Sequence, residues 1–78
     1  MMLKSLLEYI AKSLVDFPDD VSVTEVDGDQ ALVLELRVRS EDMGKVIGKQ
    51  GRIARSIRAV MKAAASRENK KVMVEIVD

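Results

Sequence analysis

Val46-Ile47-Gly48-Lys49-Gln50-Gly51-Arg52-Ile53 is the stretch on which the reading of this chain turns. Two glycines stand three positions apart, with a lysine and a glutamine between them and isoleucines close on either side. Glycine has no Cβ to clash in tight backbone conformations, and it lets a ligand come close to the main chain. The residues after Gly51 carry helical periodicity, so the second glycine opens a helix. The first N–H groups of a helix and its positive dipole end favour a phosphate. Lys49 adds a charge at the tip, and Arg52 another just inside the helix. A loop built this way suits a sugar–phosphate backbone. Other phosphate loops fit worse. A Walker A loop needs four residues between its glycines, then Lys and Ser or Thr; here there are two, then Arg. A dinucleotide fingerprint needs a preceding strand and a glycine where Val46 stands.

Downstream, Ile53, Ile57, Val60, Met61 and Ala64 form the apolar stripe of a helix over about Arg52 to Ser66. Arg52, Arg55, Arg58 and Lys62 fall on its other side. Upstream, Ser40-Glu41-Asp42 offers a capping hydroxyl and acids for a short helix that runs to about Val46 or Ile47. Before it, Leu32, Leu34, Leu36 and Val38 alternate with Val33, Glu35, Arg37 and Arg39. That period of two predicts a half-buried strand from about Ala31 to Arg39. Asp27-Gly28-Asp29 reads as a tight hairpin turn using positive φ, and Val21, Val23 and Val26 mark the strand before it. Leu3, Leu6, Leu7, Ile10, Leu14 and Val15 mark a first helix, about Met2 to Asp16, which Pro18 stops. After an exit turn at Glu68-Asn69-Lys70, Val72, Val74 and Ile76 alternate as a last strand.

The order is α-β-β-α-α-β. Two helices between the second and third strands make those strands parallel, with a right-handed crossover. The expected fold is α+β: one domain over residues 1–78, with a three-stranded mixed sheet and three helices on one face.

Composition narrows the function. The chain has no His and no Cys, so it lacks an imidazole base, a thiolate nucleophile and a disulfide framework. Asp19-Asp20 and Glu41-Asp42 lie where turns and helix starts favour acids, so no enzyme, metal or cofactor is expected. No apolar run approaches the roughly 20 residues of a membrane span, and the start does not read as a signal peptide. A cytoplasmic protein is expected. Net charge is zero, but its distribution is uneven: residues 37–71 hold eleven Lys or Arg against three acids. From Met43 to Arg67 there are seven Lys or Arg and no acid. Potentials near a surface follow local charge, because salt screens beyond about 10 Å at 0.1 M. A neutral chain can therefore present a positive face.

Ile47-Gly48-Lys49-Gln50-Gly51-Arg52-Ile53 resembles the glycine motif of K-homology (KH) domains. The element order resembles the type II version of that fold over nearly the whole chain. The longer run from Met43 to Arg58 resembles the KhpA family, small stand-alone bacterial KH proteins that bind RNA. The resemblance implies a clamp on about four nucleotides of single strand. Gly48, Lys49, Gln50 and Gly51 would grip the backbone, and Arg52 and Arg55 would add phosphate contacts. Bases would lie over an apolar groove, with Val46 and Ile53 near its floor. Arg37 and Arg39 would either extend the positive surface or lie on the open face of the sheet. The resemblance also implies a homodimer, or a heterodimer with a KhpB-like KH protein, RNA-chaperone or post-transcriptional regulatory activity, and a role in cell shape and division.

Other readings remain beside these. Ile47 and Ile57 read as core, Arg58 and Lys62 as either solvated or functional positions, and Met43, Met61 and Met73 as apolar fillers. Tyr9 and Phe17 are the only aromatics and lie far from the loop in sequence, which leaves base stacking without a platform. The rival class is a protein-interaction or dimerisation module to which RNA is incidental.

Overall fold

A computed structural model describes residues 3–77. Helix α1 (Leu3–Leu14) leads through a 3-10 turn at Pro18–Asp20 to strands β1 (Ser22–Asp27) and β2 (Leu32–Arg37). A second 3-10 turn, Ser40–Asp42, runs into helix α2 (Met43–Ile47), then a turn at Lys49–Gly51 and helix α3 (Arg52–Ser66). Strand β3 (Val72–Val77) ends the described chain. The α-β-β-α-α-β order is borne out. The expected start of the first helix at Met2 lies outside the described residues.

The sheet order is β1-β2-β3, with β1 antiparallel and β3 parallel to β2. Register puts Val23, Leu36 and Ile76 in one row, and Leu34 beside Val74 in the next. These inward rows meet Leu3, Leu7 and Ala11 of α1, Val46 of α2, and Ile57, Met61 and Ala65 of α3. All three helices therefore cover one face. The opposite face carries the rows Thr24–Glu35–Glu75 and Val26–Val33–Met73. Val26 and Met73 are exposed there.

Several expectations change in detail. The hairpin is a four-residue loop, residues 28–31, and Gly28 does not use positive φ. Its reason is space: a Cβ at Gly28 would stand 2.7 Å from the Ala31 carbonyl oxygen. Strand β2 stops at Arg37, where the pairing with Ser22 ends. Arg39 turns away instead, pairing with Asp20 at 2.8 Å and lying 3.9 Å from the Phe17 ring centroid. Val60, expected in the buried stripe of α3, is 49% exposed, while Ala54 and Ala65 are buried. Small side chains sit where a helix approaches its neighbours most closely, and a reading weighted toward large apolar residues misses them.

Candidate nucleic-acid interface

The glycine loop stands out from the fold on the one-turn helix α2. Gly48 has φ 77° and ψ 173°, a combination that L side chains rarely adopt. A Cβ there would also lie 2.6 Å from Ile53 Cγ1, so Ile53 acts as a strut beneath the first glycine. Gln50 (φ 57°) and Gly51 (φ 73°) follow in the left-handed region. Nothing lies within 4 Å of a Cβ built on Gly51, so its missing side chain leaves open space over the start of α3. The turn is closed by Gly48 N–H donating to Gly44 O at 2.9 Å and by Gly51 N–H donating to Gly48 O at 3.1 Å. Arg52 N–H donates to Lys49 O where α3 begins. Lys49 and Gln50 are exposed.

Arg52 and Arg55 gather at this loop. Arg52 Nη2 donates to Gln50 Oε1 at 3.4 Å, and Arg55 Nη2 donates to the Gln50 carbonyl at 3.3 Å. Both arginines are exposed, so they brace the strained residue while keeping charge toward solvent. Six of the expected residues thus converge: Gly48, Lys49, Gln50, Gly51, Arg52 and Arg55. Ile53 is half-buried beneath them. Val46 departs from expectation. It has no accessible surface and belongs to the core, because α2 turns that side chain toward α3 and the sheet. Arg37 pairs with Glu35 at 3.6 Å, and Arg39 is held by Asp20 and Phe17, so neither extends the loop's positive surface. Lys45 is also engaged, 3.2 Å from Asp16 Oδ2.

The structure adds residues whose role the sequence left open. At about 100° per residue, Arg55, Arg58 and Lys62 occupy one side of α3. Arg58 Nε donates to Val74 O at 3.2 Å, which turns that side toward β3. Beyond it, Lys62, Ser66, Asn69, Lys70, Lys71 and Met73 are among the residues around an open concavity of about 770 Å³. A basic track therefore leads from the glycine loop along α3 to the turn before β3. The spacing of Arg55, Arg58 and Lys62 was the available signal. A second concavity, about 490 Å³ and largely apolar, lies between α1 and α3 beside Leu6, Tyr9, Ile10, Ile53 and Val60. Ser40, expected as a helix cap, bonds Glu41 instead, and no side-chain cap is made there. Asp42, read as a helix-start acid, is fully buried.

Comparison with known proteins agrees with this architecture. The KH-domain model of the KhpA/KhpB family matches residues 4–76. "RNA-binding protein KhpA" of Clostridium acetobutylicum is 68% identical over 75 residues, which is 96% of this chain and 100% of that protein. The protein of the same name from Clostridium perfringens is 67% identical over the same span, and that of Halalkalibacterium halodurans 51% over 76 residues. Among solved structures, Era in complex with MgGDPNP and nucleotides 1506–1542 of 16S ribosomal RNA superposes with a TM-score of 0.69 at 21% identity. That match covers 96% of this chain and 29% of Era, so it speaks to the fold of one region of a larger protein. The chain belongs to the KhpA/KhpB family of KH domains.

Proposed function

We propose that this chain binds single-stranded RNA, gripping its sugar–phosphate backbone in the loop Gly48-Lys49-Gln50-Gly51. The observation that carries this reading is an exposed turn with three positive-φ residues, set at the positive end of a basic helix. Lys49 pairs with phosphate, and the open side of Gly51 lets the strand lie close to the main chain. Arg52 and Arg55 add charge, and the track past Arg58 to Lys62, Lys70 and Lys71 guides the strand onward. Ile53 borders the path, while Val46 supports it from within. The protein acts by binding rather than by catalysis, in the cytoplasm, as an RNA chaperone or post-transcriptional regulator. Membership beside proteins named for RNA binding supports the assignment.

The test is the double variant Lys49→Asp, Gln50→Asp, measured against a short unpaired RNA. Two acids in the clamp repel phosphate, and affinity falls at least tenfold, about 1.4 kcal/mol or more. Unchanged affinity with a normal circular dichroism spectrum rejects the clamp. Each phosphate contact to a single strand contributes about −0.7 to the slope of log affinity against log salt, so four contacts give about −3.

One chain with few contacts binds weakly, and pairing raises its effective concentration on one RNA. The concavity between α1 and α3 supports pairing with a second KH chain, its own copy or a KhpB-like partner. Tyr9 is 71% exposed beside it and Val60 49%. A role in cell shape and division belongs to that paired state. Sedimentation velocity over a wide concentration range, alone and with the partner, checks it; a persistent monomer in both series removes this part. A chain that only pairs would keep its RNA affinity in the loop double variant.

A further inference from the structure

Helix α2 is five residues long, too short to hold its own shape in water, yet it carries the whole loop. Its inner side is anchored by Val46. Its first end is anchored by Asp42, the one buried charged side chain among the described residues, at 0% exposure. Asp42 Oδ1 accepts from the backbone N–H of Asp16 at 3.2 Å, and Oδ2 from that of Phe17 at 3.0 Å. Those two amides lie just past the last bond of the first helix, Val15 N–H to Ala11 O, where the chain has left the helical ladder. The carboxylate therefore accepts from N–H groups of the bend that would otherwise be part-buried without a partner. Lys45, one turn along, bridges the same elements: its Nζ is 3.8 Å from Asp42 Oδ1 and 3.2 Å from Asp16 Oδ2.

A buried carboxylate loses more solvation than an apolar residue of similar size, so bulk stability does not call for one here. Its two oxygens do supply direction, because each accepts from a different amide of one bend. We infer that Asp42 is a positioning residue for the clamp: it ties the exit of α1 to the start of α2 and so sets where loop 48–51 stands against α3. The inference rests on the RNA-clamp reading for its functional consequence, but its structural half can be tested without RNA.

The experiment compares Asp42→Asn, which keeps the shape and forfeits one acceptor, with Leu34→Val, a core variant that lowers the melting temperature without touching this bend. Hydrogen exchange of the free proteins is followed at the amides of residues 46–52, well below melting, and RNA affinity is measured in parallel. Asp42→Asn is expected to speed loop exchange by about tenfold, while Leu34→Val leaves it within about twofold. RNA affinity falls by about tenfold in Asp42→Asn, and the salt slope shrinks by about one contact. Equal loop exchange in both variants overturns the positioning role and leaves the result for Lys49 and Gln50 standing. Faster exchange with unchanged affinity overturns the functional role of Asp42 and leaves the clamp to the Lys49, Gln50 variant. If Asp42→Asn does not fold, the native protein decides. Asp16 and Phe17 amides are expected to share the protection of Val46 and Ile47, and exchange at the unprotected rate overturns the tie.

Discussion

The chain contains two four-residue glycine turns that look alike in one dimension and differ in every physical respect. Residues 28–31 join β1 to β2, and residues 48–51 join α2 to α3. The hairpin glycine keeps an ordinary φ and is small because the Ala31 carbonyl leaves no room for a Cβ. The loop glycines take φ values of 77° and 73°, and they frame Gln50, a non-glycine residue with φ 57°. The hairpin has Asp27 and Asp29 beside its glycine; the loop has Lys49 inside it and Arg52 and Arg55 bonded to Gln50. One turn is shaped by its own closure and carries acids beside its glycine. The other is held in an uncommon conformation by side chains spaced around it and leaves its tip open. Strain that surrounding residues maintain at an exposed, charged place is where a ligand is to be sought.

The largest break in this comparison comes from Gly48→Ala. The new methyl group meets both a disfavoured φ and the Ile53 side chain at 2.6 Å. A strained backbone position costs about 1–3 kcal/mol and overpacking a similar amount, so a loss of about 2–4 kcal/mol is expected on urea unfolding. RNA affinity falls with it, because relief requires either the loop or the start of α3 to move. A destabilisation below about 1 kcal/mol would show that Ile53 yields freely and that the first glycine is held by nothing.

The fold was legible where periodicity is strong, as in the alternation of Leu32, Leu34 and Leu36, whose even positions are the inward rows of the sheet. It was less legible where alanine decides the packing: Ala11 and Ala65 are buried at 0% and 1%, while the larger Leu14 and Val60 stay at the surface. Size and burial separate at a close helix crossing, and a stripe drawn from large residues cannot show that. In the candidate site, the glycines and the charges that crowd them were readable because they are neighbours in sequence. Asp42 was not. Its partners are 25 and 26 residues away, and an acid beside Ser40 and Glu41 looks like a helix cap until the chain is folded. Arg37 and Arg39 had two readings, and Arg37 takes the second: it alternates with inward Leu36 and lies beside Glu35 on the open face of the sheet. Both arginines lie near the loop in charge counts, yet Glu35, Asp20 and Phe17 claim them.

Gly51→Ala and Gly28→Ala sharpen the comparison with smaller and overlapping effects on stability. At Gly51 there is free space but a left-handed φ, which costs a residue with a Cβ about 1–2 kcal/mol. At Gly28 the φ is ordinary, but the new Cβ would stand 2.7 Å from the Ala31 carbonyl oxygen, which also accepts the Gly28 N–H, so hairpin backbone must move, at about 1–3 kcal/mol. Stability alone therefore barely separates them. RNA affinity does, because only Gly51 lies where the strand approaches the main chain. Gly51→Ala is expected to weaken binding about tenfold, equivalent to about 1.4 kcal/mol, while Gly28→Ala leaves it within about twofold. Fluorescence anisotropy with one labelled RNA measures both under the same salt. Equal losses in the two variants would mean that binding follows global stability, and the distinction drawn between the turns would then have no functional content. A loss confined to Gly51→Ala ties binding to the backbone at the head of α3, independently of any charged side chain.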